Sequence, residues 1–518
     1  MTERVLLISA NTAWRTALAE DFGCADIPVL PCGPDSRKLD FFLSRDCSAA
    51  VIWAERSAAP GGGYEALEIL AKRIRDAGRD YPVLFVSVVA DDELASIARR
   101  YPPAAVVQDQ GLDMDRVQAL RAEWERLHRD ASTEPASAAT IEITLGTAEI
   151  GFEARVGEEV IASQKHEWSG RYPIEIVNQQ FEFFDNHPSE FKGVWKNEID
   201  AASKQLWYNI IDTQGFRPTI ESVKAQMQMN FSNVHFRFIV ANDDLEHVPF
   251  ELVAYGRSDD AYIRDVAPVA RKLLLDPDDV LAPAEPLNFV DQRDRPVVLF
   301  ISAAVSGLLT VENKTFKGNK RYPLGKLLHI GKEWEAVLKV HGSHGVRPVD
   351  LATAADPVDA MITALQEGPW EVIHFAGHSV QADQDRQVFL ALPDRTYPGQ
   401  LMGYSADDFA RRAAQAGARL VVLSSCESCS FRSLMRMASF GVPAVAGFRW
   451  PVDDNDAAIF TPNLHKALYQ QKLSLIRAFQ DALFKLKDYA GGRITPFSPI
   501  LLLQPDSWCS YSLEARHP

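Results

Sequence analysis

Two side chains in this sequence have the types and the surroundings that nucleophilic catalysis needs. His378 follows the apolar run Glu371-Val-Ile-His-Phe375 across Ala376-Gly377. Cys426 follows the fully apolar run Leu420-Val-Val-Leu423 across Ser424-Ser425. In thiol chemistry the thiolate attacks, and a nearby imidazole accepts its proton and later protonates the leaving amine. Gly377 lets the backbone turn sharply and present the imidazole at a sheet edge. The backbone N–H groups of Ser379 and Cys426 would then be the donors facing a developing oxyanion. A Cys and a His at strand ends also describe many pairs that are simply packed. Cys426-Glu-Ser-Cys429 is in addition a CxxC. One CxxC lacks the four ligands of a zinc site, and a thioredoxin-like redox motif opens the helix after the first strand of its domain. This one lies late in the chain, so Cys429 reads as a packing residue. No metal and no cofactor is expected.

Elements of alternating type must position these residues. From Pro296 onward strand-like runs (Val297 to Ser302, Glu371 to Phe375, Val388 to Leu392, Leu420 to Leu423, Val442 to Phe448) alternate with helical patterns (Gly331 to Val340, Pro357 to Leu365). That rhythm predicts a parallel sheet covered by helices. Both reactive residues fall at or just past strand C-termini, the edge where active sites of open α/β sheets collect. Upstream, Ile141 to Leu145 alternates with period two, Phe152 to Val156 more loosely, and Val234 to Val240 again. They predict a separate, partly antiparallel unit, with helices over Glu198 to Ile211 and Ile220 to Met229. The Pro- and Asp-rich stretch Asp276 to Arg295 separates that unit from the region beginning at Pro296. The small, polar stretch Ala131 to Thr140 is the clearest linker. Before it, Val5 to Ile8, Ala49 to Trp53, Val83 to Val89 and Ala104 to Val107 predict buried strands. Val117, Leu120, Trp124 and Leu127 mark one helix face.

Several motifs in order resemble the CHAT family, the caspase-like family related to caspases, separases and gingipains. They are Val372-Ile-His-Phe-Ala-Gly-His-Ser379, Leu423-Ser-Ser-Cys-Glu-Ser428 and Gly441-Val-Pro-Ala-Val-Ala-Gly-Phe-Arg-Trp-Pro-Val-Asp-Asp454. Leu245-Glu-His-Val-Pro-Phe-Glu-Leu252 is similar to an upstream element of the family, with Phe250 in a Trp position. Val269-Ala-Arg-Lys272 is similar to the Arg-bearing segment after it, and Leu464 to Leu486 to the terminal helices. The resemblance spans about Ile141 to Ile500. It implies a caspase-like cysteine endopeptidase with His378 and Cys426 as the dyad, and a structural role for His374. It implies cleavage of specific proteins, activation by a partner or ligand, and a setting in bacterial antiviral defence or cell death. The alternative is a catalytically idle scaffold that binds partners. Besides Phe250, one residue departs from the family pattern and one from that of related metacaspases. Ser379 stands where the family commonly has Gly, and Ser424 stands where related metacaspases carry an acidic specificity residue. Asp453, Asp454 and Asp456 could line a pocket for Lys or Arg, or cap a helix starting near Asn455.

The first 130 residues resemble a response-regulator receiver through Pro60-Gly61 after the strand ending near Trp53. On that alignment Glu55 or Arg56 replaces the phospho-accepting Asp. Ser9-Ala10-Asn11 replaces the acidic pair, and Gln108 or Asp109 the Lys. Without clustered carboxylates there is no Mg²⁺ site, so the reading is a pseudo-receiver for docking or sensing; a generic flavodoxin-like domain is the alternative. The expected class is α/β throughout. Residues 1–130 are the receiver-like domain and 131–140 the linker. Residues 141–290 are the pseudo-caspase-like part, and 291–518 the catalytic caspase-like domain. A net charge of −16 over 518 residues excludes a general nucleic-acid or anionic-membrane binder. Lys317, Lys320 and Arg321 read as a solvated loop. Six cysteines in this length are no disulfide framework, and MTERVLLIS is no secretory signal. The expected location is therefore the cytoplasm. The expected partners are protein substrates and a regulatory protein.

Overall fold

The computed structural model describes residues 5–9, 16–19, 29–32, 49–53, 65–76, 83–87, 97–98, 104–108, 120, 139–146, 148–157, 159–168, 171–186, 188–227, 233–240, 245, 247–255, 262–274, 296–313, 318–381, 387–425, 436–450, 452–490, 493–505, 510–511 and 513. Two compact units divide the chain, Met1–Pro135 and Ala136–Pro518.

The first unit holds β1 (Val5–Ile8), β2 (Val29–Cys32), β3 (Ala49–Trp53), α1 (Glu65–Asp76), β4 (Val83–Ser87) and β5 (Ala104–Gln108). The strands are all parallel, in the order β2-β1-β3-β4-β5, which is the flavodoxin-like order. Strand alternation explains why both faces are covered. Leu6 and Ile8 of β1 join one apolar cluster, with Leu67, Leu70, Ala71 and Ile74 of α1, while Val5 and Leu7 join another. Glu55, Arg56, Pro60, Gly61, Ala10, Asn11 and Asp109 lie outside the described residues, as does the expected helix over 117–127 except Leu120.

The second unit is built on one sheet of eleven strands. In chain order its strands are β6 (Ala139–Leu145), β7 (Glu149–Val156), β8 (Glu159–Glu167), β9 (Val234–Val240), β10 (Val269–Leu273), β11 (Val298–Ser302), β14 (Val346–Asp350), β15 (Val372–Ala376), β19 (Leu420–Ser424), β20 (Ala444–Phe448) and β21 (Pro499–Leu503). Their spatial order is β14-β11-β15-β19-β20-β21-β10-β9-β6-β7-β8. The first five run parallel; β21 reverses against β20, and β10, β9 and β6 follow it in parallel. The regions on either side of Asp276 to Arg295 thus share a single sheet. A second sheet comprises β12 (Gly307–Asn313), β13 (Gly318–Leu324), β16 (Ser379–Gln381), β17 (Val388–Pro393) and β18 (Gln400–Ser405), in the order β13-β12-β18-β17-β16. Lys320 and Arg321 therefore lie in β13 rather than in a loop.

Helices cover the large sheet. They are α2 (Arg171–Asn186), α3 (Pro188–Leu206, continued by a π-helical turn over Trp207–Asp212), α4 (Arg217–Gln226), α5 (Ile330–His341), α6 (Pro357–Gln366), α7 (Ala406–Gln415), α8 (Asp454–Tyr469) and α9 (Leu475–Ala490). Period two sorts each central strand between two cores. Ile373 and Phe375 of β15, with Val421 and Leu423 of β19, face the cluster that includes α2, α3, α6 and α7. Val372 and Ala376, with Leu420 and Val422, face the cluster that includes α5, α8 and α9. Among the described residues no helix is long and apolar enough to cross a membrane.

Candidate active site

β15 and β19 are neighbours, parallel and in register from Val372↔Leu420 to Ala376↔Ser424. Both strands are buried on both faces and are apolar apart from His374 and Ser424. His378 stands two residues past one end of that register. Cys426 stands two residues past the same end in sequence, after Ser424, and itself lies outside the described residues, as does Cys429. Gly377 forms the joint. A Cβ there would meet the Ala303 Cβ and the Phe375 ring at 3.0 Å, so the close packing favours glycine. Its N–H donates to the Ser424 carbonyl (3.3 Å), stitching the two strand ends together.

The His378 imidazole is half-buried. Its Nε2–H donates to the Gly325 carbonyl at 2.7 Å, which leaves Nδ1 unprotonated in the neutral ring. That bond fixes the orientation of the ring. Burial is the largest influence on the ring and lowers its pKa from 6.5; the Gly325 bond and the charge of Asp454 oppose it. A His held below its ordinary value stays neutral, and so competent as a base, to lower pH. The acid limb of a pH–rate profile should therefore have its midpoint below pH 6.5. A midpoint above 6.5 in kcat/KM would contradict this placement of the imidazole.

Ser379 is buried and begins β16, paired with Leu390 of β17. Among the described residues Lys472 is the one non-glycine with positive φ. Position 379 thus has a backbone that any residue adopts, and Ser in place of Gly costs nothing there. Ser424 is also buried, and its hydroxyl donates inward to Glu333 Oε2 at 3.1 Å.

The three aspartates have engagements of their own. Asp453 is the N-cap of α8, accepting from the Asn455 N–H at 2.9 Å. Asp454 accepts from the backbone N–H groups of Leu328 (2.6 Å) and His329 (3.0 Å). It thereby ties down the segment that carries Gly325. Asp456 is fully buried and pairs with Arg493 at 2.8 Å.

Sequence reading did not find Gly325, the anchoring role of Asp454, or Glu333. A carbonyl carries no side-chain signal, and Glu333 sits in a helix of otherwise ordinary pattern. It did expect His374 to be a hydrogen-bonded core histidine. That ring is 0% exposed, with partners on both nitrogens. Among the described residues no group of three His, Cys, Asp or Glu side chains could hold a metal ion.

The upstream elements explain themselves in the same way. Arg271 of β10 is 1% exposed. It makes a two-pronged pair with Glu251 (Nε to Oε1 2.7 Å, Nη2 to Oε2 2.9 Å) and donates to the Val248 carbonyl at 2.8 Å. Its guanidinium carbon lies 5.5 Å from the Phe250 ring centroid.

The CHAT domain family matches residues 205–511, and the chain belongs to that family. Its fold is of the α/β, caspase-like class that the sequence motifs imply. No curated protein matches the sequence. Among solved structures, two of the Saccharomyces cerevisiae separase–securin complex are similar. Both are 10% identical with a TM-score of 0.35; one covers 76% and the other 75% of this chain. The chain in turn spans 31% of the separase chain.

Proposed function

We propose that this chain is a cysteine endopeptidase in which Cys426 is the nucleophile and His378 the base. One observation carries the reading. The strands leading to both residues are adjacent, parallel and in register, so they end at the same sheet edge, and each residue follows its strand by two positions in sequence. Strands about 4.8 Å apart put such positions within reach of one another. The bond from His378 to Gly325 supports it by fixing the tautomer a base requires. In the reaction Nδ1 takes the thiol proton and the thiolate attacks the scissile carbonyl. The backbone N–H groups of Ser379 and Cys426 stabilise the oxyanion, and the imidazolium then protonates the leaving amine. No cofactor enters this scheme. Asp454 is the acidic residue we place nearest the substrate, because it holds Leu328 and His329 on the segment whose Gly325 carbonyl meets His378. The setting we infer is a cytoplasmic bacterial defence or cell-death protease that cleaves specific proteins when a protein partner or ligand activates it. Labelling with an iodoacetamide probe tests the core of this. One fast-reacting thiol is expected, lost in Cys426→Ala and slowed in His378→Ala. Absence of a fast thiol would leave the idle-scaffold reading.

The first unit we read as a pseudo-receiver that regulates without phosphorylation. Its β2-β1-β3-β4-β5 order supports the flavodoxin-like half of that reading. Gln108, at the end of β5, supports the absence of the receiver Lys. Residues 136–518 are expected to fold alone and keep Cys426 reactive. A cut at 141 would remove Ala139 and Thr140 from β6, where they pair with both β7 and β9. Incubation of the full chain with acetyl phosphate and Mg²⁺ should add no mass. A gain of one phosphoryl group on Glu55 or a neighbouring Asp would overturn this reading.

A further inference from the structure

Beneath the two strand ends lies a buried polar chain that the proposed reaction does not use. Glu333, on the core face of α5 with Ile330 and Val337, is 2% exposed. Among the described residues its partners are three. His374 Nε2 lies 2.9 Å from its Oε1, the Ser424 hydroxyl donates to its Oε2 at 3.1 Å, and the Thr461 hydroxyl of α8 donates to its Oε1. From His374 the chain continues outward. His374 Nδ1 is 3.0 Å from His465 Nε2, and His465 Nδ1 is 3.0 Å from His341 Nε2. The ring planes of His374 and His465 are 7° from parallel with centroids 5.2 Å apart, as two rings joined edge to edge by the bond between them should be. His341, half-buried at the end of α5, lies against Tyr469, whose hydroxyl donates to Glu371 at 3.2 Å.

With Glu333 ionised and the imidazoles neutral, one set of tautomers satisfies the whole chain: each ring donates from Nε2 toward Glu333 and accepts at Nδ1. Burial lowers the pKa of both His465 and His341, which keeps these rings neutral. An ionised carboxylate in an apolar layer is costly to bury and is held there by its three donors. Two of those donors share a location. His374 precedes His378 by four residues on β15, and Ser424 closes β19 just before Cys426; both face the α5 side. The Ser424 carbonyl in turn receives the Gly377 N–H.

We propose that Glu333 is a positioning residue for the active site, gripping the ends of β15 and β19 together and, through the three-histidine chain, locked in one hydrogen-bonded state. This rests on the His378–Cys426 reading. The test is the rate of Cys426 alkylation by iodoacetamide in the full-length protein, followed by peptide mass spectrometry. It is expressed as the ratio between each background and the same background carrying His378→Ala. In the wild type the ratio should be about 10² or more. Ser424→Ala and Glu333→Ala should each cut it at least about tenfold, as expected when supporting contacts are lost and reacting groups shift by a fraction of an ångström. Glu333→Gln, which keeps an acceptor and the shape, should hold it within about threefold. A purely stabilising role would lower the melting temperature and leave the ratio unchanged. An unchanged ratio in Ser424→Ala, which removes one hydroxyl and should fold even where Glu333→Ala does not, would overturn the proposal. A ratio of one in the wild type would instead remove the dyad reading, and the positioning role with it. Independently, ¹⁵N-histidine spectra should show His374 and His465 as Nε2–H tautomers with slowly exchanging ring protons. Nδ1–H tautomers would refute the chain whatever Cys426 does.

Discussion

Cys426→Ala is expected to remove proteolysis altogether, and His378→Ala to lower it by about 10⁴-fold or more, with the double variant no worse than Cys426→Ala. The size of the effect follows from the division of labour. Without the thiol there is no acyl-enzyme; without the imidazole the thiol must attack as a neutral group and the amine leaves unprotonated. Non-additivity is the sharper expectation, because two residues that act in one step cannot each be lost twice. Neither change should disturb the fold. His378 is half-buried and its ring bond runs to a single carbonyl on a segment that Asp454 anchors separately. Far-UV and near-UV circular dichroism of both variants should match the parent. Turnover of the cognate protein substrate by His378→Ala at more than about a tenth of the parent rate, far above the loss general-base removal causes, would show that another base serves Cys426.

How much of this was legible in the sequence depended on how each residue earns its place. Strands buried on both faces announce themselves as largely apolar runs, so β1, β3, β11, β15, β19 and β20 could be read directly, and with them the edge that bears His378. Three strands that went unread, β2, β13 and β14, each contain a proline (Pro31, Pro323 and Pro348). All three lie at sheet edges, where a missing N–H is tolerated. β21 also went unread and begins with Pro499, but it lies inside the large sheet, where a proline at the first strand position is likewise tolerated. β8, another edge, is largely exposed and so carries no apolar signal. The site divides in the same manner. His378 and Cys426 had a motif. Gly325 contributes only a carbonyl, and Glu333 is selected by what surrounds it in three dimensions. Its donors come from β15, β19 and α8, up to 128 residues away in sequence. The same holds for the aspartates of α8. Spacing alone could not separate Asp453, a cap, from Asp454, an anchor for the loop behind His378.

The largest expected loss of stability lies away from the site, at Arg271 and Glu251. Both are almost fully buried, and the pair is satisfied on every side the structure describes: two prongs between the side chains, a third bond to the Val248 carbonyl and the face of Phe250. Removing one partner leaves a charge in a low-dielectric interior with nothing to offset it, a loss of about 3–5 kcal/mol. Arg271→Ala should therefore lower the melting temperature of the second unit by on the order of 5–10 °C, and Glu251→Ala by a similar amount. Combining Arg271→Met with Glu251→Leu should recover most of it, because an apolar pair of similar volume removes both charges at once. This arm separates the two explanations for a buried pair. If the double variant is stable and its Cys426 still reacts fast, the pair serves to join β10 to the turn at Phe250. If it is stable but Cys426 reacts slowly, the pair sets the geometry of the far half of the sheet, to which β20 and β21 connect β15 and β19. A melting temperature unchanged in Arg271→Ala would contradict the burial of the guanidinium itself.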